Sequence, residues 1–239
     1  MMDSGNIPLR SLIFRKEVRI AALIGVLLII VPALIQFNGC TERLARTILN
    51  GRDANAEKIL TRYPGLLDKR DSENGFAPLH WAVFADRTNL VTWLVNKGAA
   101  VNATDRAGMT PLHMAAVFNH LACAETLIAH GANINALGRK YGALRLAPIH
   151  LAAEEGHADM VQCLLRHGVN VNALSEGANR LTPLHMAAAK GRVAVVQMLL
   201  DAGADINAYD LARKTPLTWA IESDQRATAD LLRSAGALP

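Results

Sequence analysis

Cysteine is scarce: Cys40, Cys123 and Cys163 are the only three in 239 residues. They form no CxxC pair and are too few for a disulfide framework, so neither a thiolate metal knuckle nor a stapled secreted mini-domain is indicated, and the compartment stays open. An excess of one charge is also missing. Lys and Arg number 25 against 21 Asp and Glu, a net charge of +4, and half of that excess lies in the first 40 residues, which leaves the remaining chain nearly neutral. That is far from the basic concentration that nucleic-acid binding requires. No Ser-His-Asp constellation, Gly-rich phosphate loop or paired carboxylates can be assembled, so the sequence offers no catalytic machinery and implies no cofactor. Apolar residues make up 51% of the chain, within the globular range, although one N-terminal block takes a share of them.

That block is the one long hydrophobic run. Arg10, Arg15, Lys16 and Arg19 precede an apolar stretch from Ile20 to Ile35 that reaches Phe37 if Gln36 is tolerated. Its length as a helix is about 24–27 Å, just short of a hydrocarbon core of roughly 30 Å. It has no polar face to turn outward, which argues against a buried core helix. Residues 1–19 are read as a basic tail and 20–37 as a transmembrane or signal segment. Three alternatives stand: an uncleaved anchor, a lipoprotein signal and a cleaved secretory peptide. Phe37-Asn38-Gly39-Cys40 resembles a lipobox in its Gly-Cys ending and departs from it at Phe37 and Asn38, which makes Cys40 a candidate lipidation site. The four basic residues before the run and Arg43, Arg46 and Arg52 after it favour an inside N-terminus. Each alternative then places residues 41–239 outside the cytoplasm, membrane-associated or released.

The rest of the chain is periodic. Ala77-Pro78-Leu79-His80-Trp81-Ala82 returns as Thr110-Pro111-Leu112-His113-Met114-Ala115, Ala147-Pro148-Ile149-His150-Leu151-Ala152, Thr182-Pro183-Leu184-His185-Met186-Ala187 and Thr215-Pro216-Leu217-Thr218-Trp219-Ala220, with prolines stepping by 33, 37, 35 and 33 residues. A period of this size marks a stacked array. Threonine suits a helix cap, and proline suits the first helical position, where its missing N–H has no partner to lose. Eight residues after each proline stand Asp86, Asn119, Gly156, Gly191 and Asp224, and twenty after it Gly98, Gly131, Gly168, Gly203 and Gly236. These columns end a first and a second helix in left-handed turns, which Asp adopts less readily than Gly or Asn. Asn102, Asn135, Asn172 and Asn207 lead into the next turn.

These residues, with Gly131-Ala132-Asn133-Ile134-Asn135 and Gly203-Ala204-Asp205-Ile206-Asn207, resemble the ankyrin repeat family closely over 75–238 and more loosely over 41–74. The resemblance implies an all-α solenoid of stacked helix pairs with β-hairpin-like fingers. It comprises an atypical first repeat at 41–73, then repeats starting near 75, 108, 145, 180 and 213, preceded by one N-terminal hydrophobic helix. It further implies a non-catalytic scaffold that binds protein partners of unknown identity through a concave face, and the chain is expected to be monomeric. The motif histidines are then turn-stabilising groups and not metal ligands, while Cys123 and Cys163 are small buried hydrophobes. A secreted effector that binds a host or envelope protein is the alternative, and a histidine-dependent metal protein or enzyme is a further one.

Departures from the pattern supply the candidate sites. Arg145, Arg180 and Arg213 replace the glycine that the family usually places three residues before the proline, so those turns are not expected to keep left-handed geometry. The third and fourth fingers are longer than the second. The third holds Arg139, Lys140, Tyr141 and Arg145 with no acid. Together with Arg180, Arg213 and Arg106 it is read either as a basic stripe for an acidic protein surface or anionic head groups, or as a plain solvated edge. At the positions that the family exposes on its concave side, Phe84 and Phe118 give way to Glu154 and Glu155. The aromatics either anchor a partner or pack against the first repeat. Gln225, Arg226, Thr228, Asp230, Arg233 and Ser234 read as the polar outer face of a C-terminal cap, where the array is expected to end.

Overall fold

The computed structural model describes residues 39–141, 143–177 and 179–238. The basic tail 1–19 and the hydrophobic helix expected over 20–37 lie outside the described residues. Among the described residues no helix is long and apolar enough to cross a membrane.

Twelve helices in six pairs follow one another among the described residues. The first pair is α1 (Cys40–Leu49) and α2 (Asp53–Arg62), closed by a 3-10 turn over Pro64–Leu66. Then come α3 (Pro78–Phe84) and α4 (Thr88–Asn96), α5 (Pro111–Phe118) and α6 (Leu121–Ala129), and α7 (Pro148–Glu155) and α8 (Ala158–Arg166). The array finishes with α9 (Pro183–Ala189) and α10 (Val193–Asp201), then α11 (Pro216–Glu222) and α12 (Arg226–Ser234). Every motif proline is the first residue of its helix, after a residue in extended conformation with φ between −80° and −92°.

The first helices pack in a row, α1 on α3, α3 on α5, α5 on α7, α7 on α9 and α9 on α11. Ala82, Ala115, Ala152, Ala187 and Ala220 are fully buried along this row, where a small side chain lets neighbouring backbones approach. The second helices form an outer row through Leu90 and Leu94, Cys123 and Leu127, Met160 and Leu164, and Val195 and Leu199, so that one core runs the length of the array. Both Cys123 and Cys163 are buried. Burial pushes the Cys123 thiol up to about 12, so it is an inert hydrophobe at neutral pH.

Turn geometry departs from expectation in two places. Arg180 and Arg213 do keep the left-handed conformation, at φ +50° and +58°, beside Gly75 at +74° and Gly108 at +77° in the equivalent turns. Backbone stitching between neighbouring fingers overrides the residue preference: Leu211 N–H donates to the Asn179 carbonyl at 3.0 Å, just as Arg106 N–H donates to that of Asn74. Arg145 differs because its longer finger forms a true hairpin, β1 (Gly138–Tyr141) and β2 (Leu144–Leu146), within which it is extended. Thr228 is also misplaced on the expected polar cap. It is buried, in the column of Leu90, Cys123, Met160 and Val195, and its hydroxyl has no hydrogen-bond partner.

Candidate protein-binding surfaces

The motif histidines account for themselves structurally. His80, His113, His150 and His185 are fully buried. Each Nδ1 accepts the N–H of the residue before the proline, at 3.0–3.2 Å, from Ala77, Thr110, Ala147 and Thr182. Each Nε2–H donates to a carbonyl in the next finger, that of Met109, Leu146, Leu181 or Lys214. The carbonyl acceptors place a proton on Nε2 and the backbone N–H donors require a bare Nδ1, so the ring is neutral. Burial lowers His80, His113 and His150 to about 4 from an ordinary 6.5, and lowers His185 as well. Both ring nitrogens are thus committed, and no group of three or more His, Cys, Asp or Glu able to hold a metal occurs among the described residues. In the last unit Thr218 takes the histidine's place, and its hydroxyl meets that of Thr215 at 3.1 Å.

A second stitch comes from the asparagine column. Asn102 Nδ2 donates to the Gly131 carbonyl while its Oδ1 accepts the Asn133 N–H, and Asn172 repeats this with Gly203 and Asp205. Asp71, Asp105 and Asp210 hold the finger turns: the Oδ1 of Asp71 accepts three backbone N–H groups, from Glu73, Asn74 and Gly75. Asp71 and Asp210 also accept the indole N–H of Trp81 and Trp219. An aspartate six or seven residues before the proline is a column that reading the proline phrase alone misses.

Phe84 and Phe118 sit at the open ends of α3 and α5, each half-buried. Their rings meet edge to face at 5.1 Å, and Phe84 meets Trp81 in the same way at 6.0 Å. The two phenylalanines therefore brace one another across a repeat boundary and leave a minor part of their surface open. At the equivalent ends of α7 the expected acidic patch is absent as an open surface. Glu154 is buried and receives Lys140 Nζ at 3.2 Å and Lys190 Nζ at 3.4 Å, and Glu155 receives Lys140 Nζ at 2.6 Å. The long third finger folds back far enough for its lysine to reach α7, so one member of the predicted basic set, Lys140, is drawn off to the acidic pair predicted separately. Burial pushes the Glu155 carboxyl up, but the charge and hydrogen bond of Lys140, together with neighbouring cations such as Arg192, hold it below its ordinary value. Lys214 and Glu222 make a similar pair at 2.7 Å in the last unit. A small apolar cleft beside Glu154 and Lys190 is lined by Leu144, Leu181, Met186, Ala189 and Trp219.

The finger edge is likewise less basic than its composition. Arg145 pairs with Glu176 at 2.6 Å and exchanges two backbone hydrogen bonds with it. Arg106 donates to the Ser72 carbonyl. Tyr141 lies in β1. Arg139, Arg180 and Arg213 remain exposed. Cys40 is exposed as the first residue of α1.

Stacked helix pairs, histidines at four successive unit boundaries, asparagine bridges from Asn102 and Asn172, and projecting fingers specify the array. Residues 31–137 and 149–239 match the family described as ankyrin repeats (3 copies), and residues 112–165 match ankyrin repeats (many copies). The chain belongs to the ankyrin repeat family. Such arrays serve as protein-binding modules. Over 58 residues, 24% of this chain, it is 43% identical to the FYVE zinc finger domain protein UPA1 of Mycosarcoma maydis. Over 81 residues, 34% of this chain, it is 30% identical to Target of rapamycin complex 2 subunit AVO2 of Saccharomyces cerevisiae. The aligned stretches span 4% and 19% of those two proteins, so the similarity is to a segment of each.

Proposed function

We propose that this ankyrin array is a non-catalytic adaptor whose inner face recognises a protein partner through Phe84 and Phe118. The observation that carries the reading is the partly exposed aromatic pair: two large rings packed on one another, with Phe84 also packed on Trp81, that a partner can cover without reordering them. The N-terminal run 20–37 anchors the array to a membrane with residues 41–239 on the extracytoplasmic side, a reading supported by the apolar length and the basic flank. The test of the binding face is capture by the full chain compared with Phe84→Ser/Phe118→Ser. A partner retained equally by both would rule the inner face out. Membrane fractionation and intact mass of the wild type and Cys40→Ser separate anchor, lipoprotein and released effector: a lipoprotein loses its mass increment in Cys40→Ser, an effector leaves the pellet, and an anchor does neither.

A further inference from the structure

Fingers three to five carry six Lys and Arg side chains, of which three are committed to acids. Lys140 is held by Glu154 and Glu155, Arg145 by Glu176 and Lys214 by Glu222. The acids of these fingers are equally occupied, since Glu176 is taken by Arg145 and the buried Asp210 by Trp219 and the Lys214 N–H. Arg139, Arg180 and Arg213 are what remains. All three are exposed; among the described residues their guanidinium groups meet no acid, and that of Arg213 lies 5.1 Å from the centre of the Tyr209 ring.

Two further features set these arginines apart from a solvated edge. Arg180 and Arg213 occupy left-handed turns, at φ +50° and +58°, that the preceding fingers give to Gly75 and Gly108. A side chain with a Cβ is disfavoured there, and Arg lacks the short polar group that lets Asn or Asp tolerate it. Keeping a cation at a strained position in two successive fingers points to a ligand for the cation. The edge is also rigid: Arg139 N–H bonds the Ala107 carbonyl, Arg145 and Glu176 bond one another twice, and Leu211 N–H bonds the Asn179 carbonyl, which joins the second finger to the third, the third to the fourth and the fourth to the fifth. Tyr209 and Leu211 are more than half exposed beside Arg213 and supply apolar surface.

We propose that this edge binds an acidic, extended protein segment, whose carboxylates are taken by Arg139, Arg180 and Arg213 and whose neighbouring apolar side chain rests on Leu211 and Tyr209. The proposal rests on the reading of the chain as a protein-binding module and assigns it a second surface with a stated partner chemistry. An extended segment fits better than a lipid surface because the free cations form a single file, one to a finger, whereas anionic membranes are engaged by broader clusters of about four to eight Lys and Arg.

The test uses the full chain and a fluorescein-labelled peptide of alternating Glu and Ser with one central Leu, its Lys-for-Glu counterpart, and phosphatidylcholine vesicles with and without phosphatidylserine. Anisotropy should report binding of the acidic peptide only, weakened by salt. Arg180→Gly/Arg213→Gly gives the backbone its preferred residue, so the fold persists, and should weaken binding about tenfold or more. Arg180→Lys/Arg213→Lys should recover most of it. Equal binding of both peptides, no binding of the acidic one, unchanged affinity in the glycine variant, or arginine-dependent vesicle binding without peptide binding would each overturn the proposal. Capture of a partner that depends on Phe84 and Phe118 but not on these arginines would leave the adaptor reading intact while this one fails.

Discussion

Acidification between pH 6.5 and 4 should unlock the array through its histidines. In the native state His80, His113 and His150 are neutral, each Nδ1 accepting a backbone N–H, and each titrates only near 4. In the unfolded chain the same rings bind a proton below their ordinary 6.5. Between those limits the unfolded state holds more protons than the native one, so stability is fully present above 6.5 and falls as the pH falls through this window. At pH 5 each ring lies 1.5 units below 6.5, a loss of about 2 kcal/mol at 1.36 kcal/mol per unit. Three such rings give about 6 kcal/mol, a large fraction of the 5–15 kcal/mol that holds a typical domain together, and the lowered His185 adds to it. Urea titrations at pH 7, 6 and 5 read the effect. His113→Thr supplies the internal control, because it copies the Thr215 and Thr218 hydroxyl pair of the last unit beside Thr110. It should cost stability at pH 7, where the Leu146 carbonyl loses its donor, yet reduce the slope below pH 6 by about 1.4 kcal/mol per pH unit. An unchanged slope in that variant would refute the tautomer argument.

Four further outcomes follow from the packing. Arg180→Gly should stabilise the array by about 1 kcal/mol by relieving the left-handed strain, seen as a rise in Tm of a few degrees. Thr228→Val should also stabilise it, by about 1 kcal/mol, because the buried hydroxyl has no partner and the same column carries Val195; a lower Tm would show that the hydroxyl is satisfied. Lys140→Met leaves buried Glu154 with one of its two lysines and should cost about 2 kcal/mol, with faster amide exchange confined to the hairpin 138–146. Leu184→Ala, fully buried in α9, should cost about 3 kcal/mol and loosen the units on either side, read as exchange spreading into α7 and α11.

What could be read from the residues divides by how far each constraint reaches along the chain. Helix starts, helix ends and the histidine and asparagine columns are local demands repeated at one period, so Pro111, Asn119 and Gly131 announce α5 and α6 without knowledge of their neighbours. The fate of Lys140 could not be read that way, because it depends on where a longer finger folds back: a finger with no acid of its own found two on α7. Arg180 and Arg213 invert the lesson. Residue preference argues against a left-handed turn, yet the stitch from finger to finger imposes one, and that conflict between local preference and observed backbone is what singles those arginines out. At Thr228 polarity suggests an exposed cap, whereas its column of Leu90, Cys123, Met160 and Val195 places it in the core, where it lies. In an array of this kind the column is therefore the stronger guide to burial and the departure from the column the stronger guide to binding, which is why Phe84, Phe118 and the three unpaired arginines, and not the repeated histidines, are where a partner should be sought.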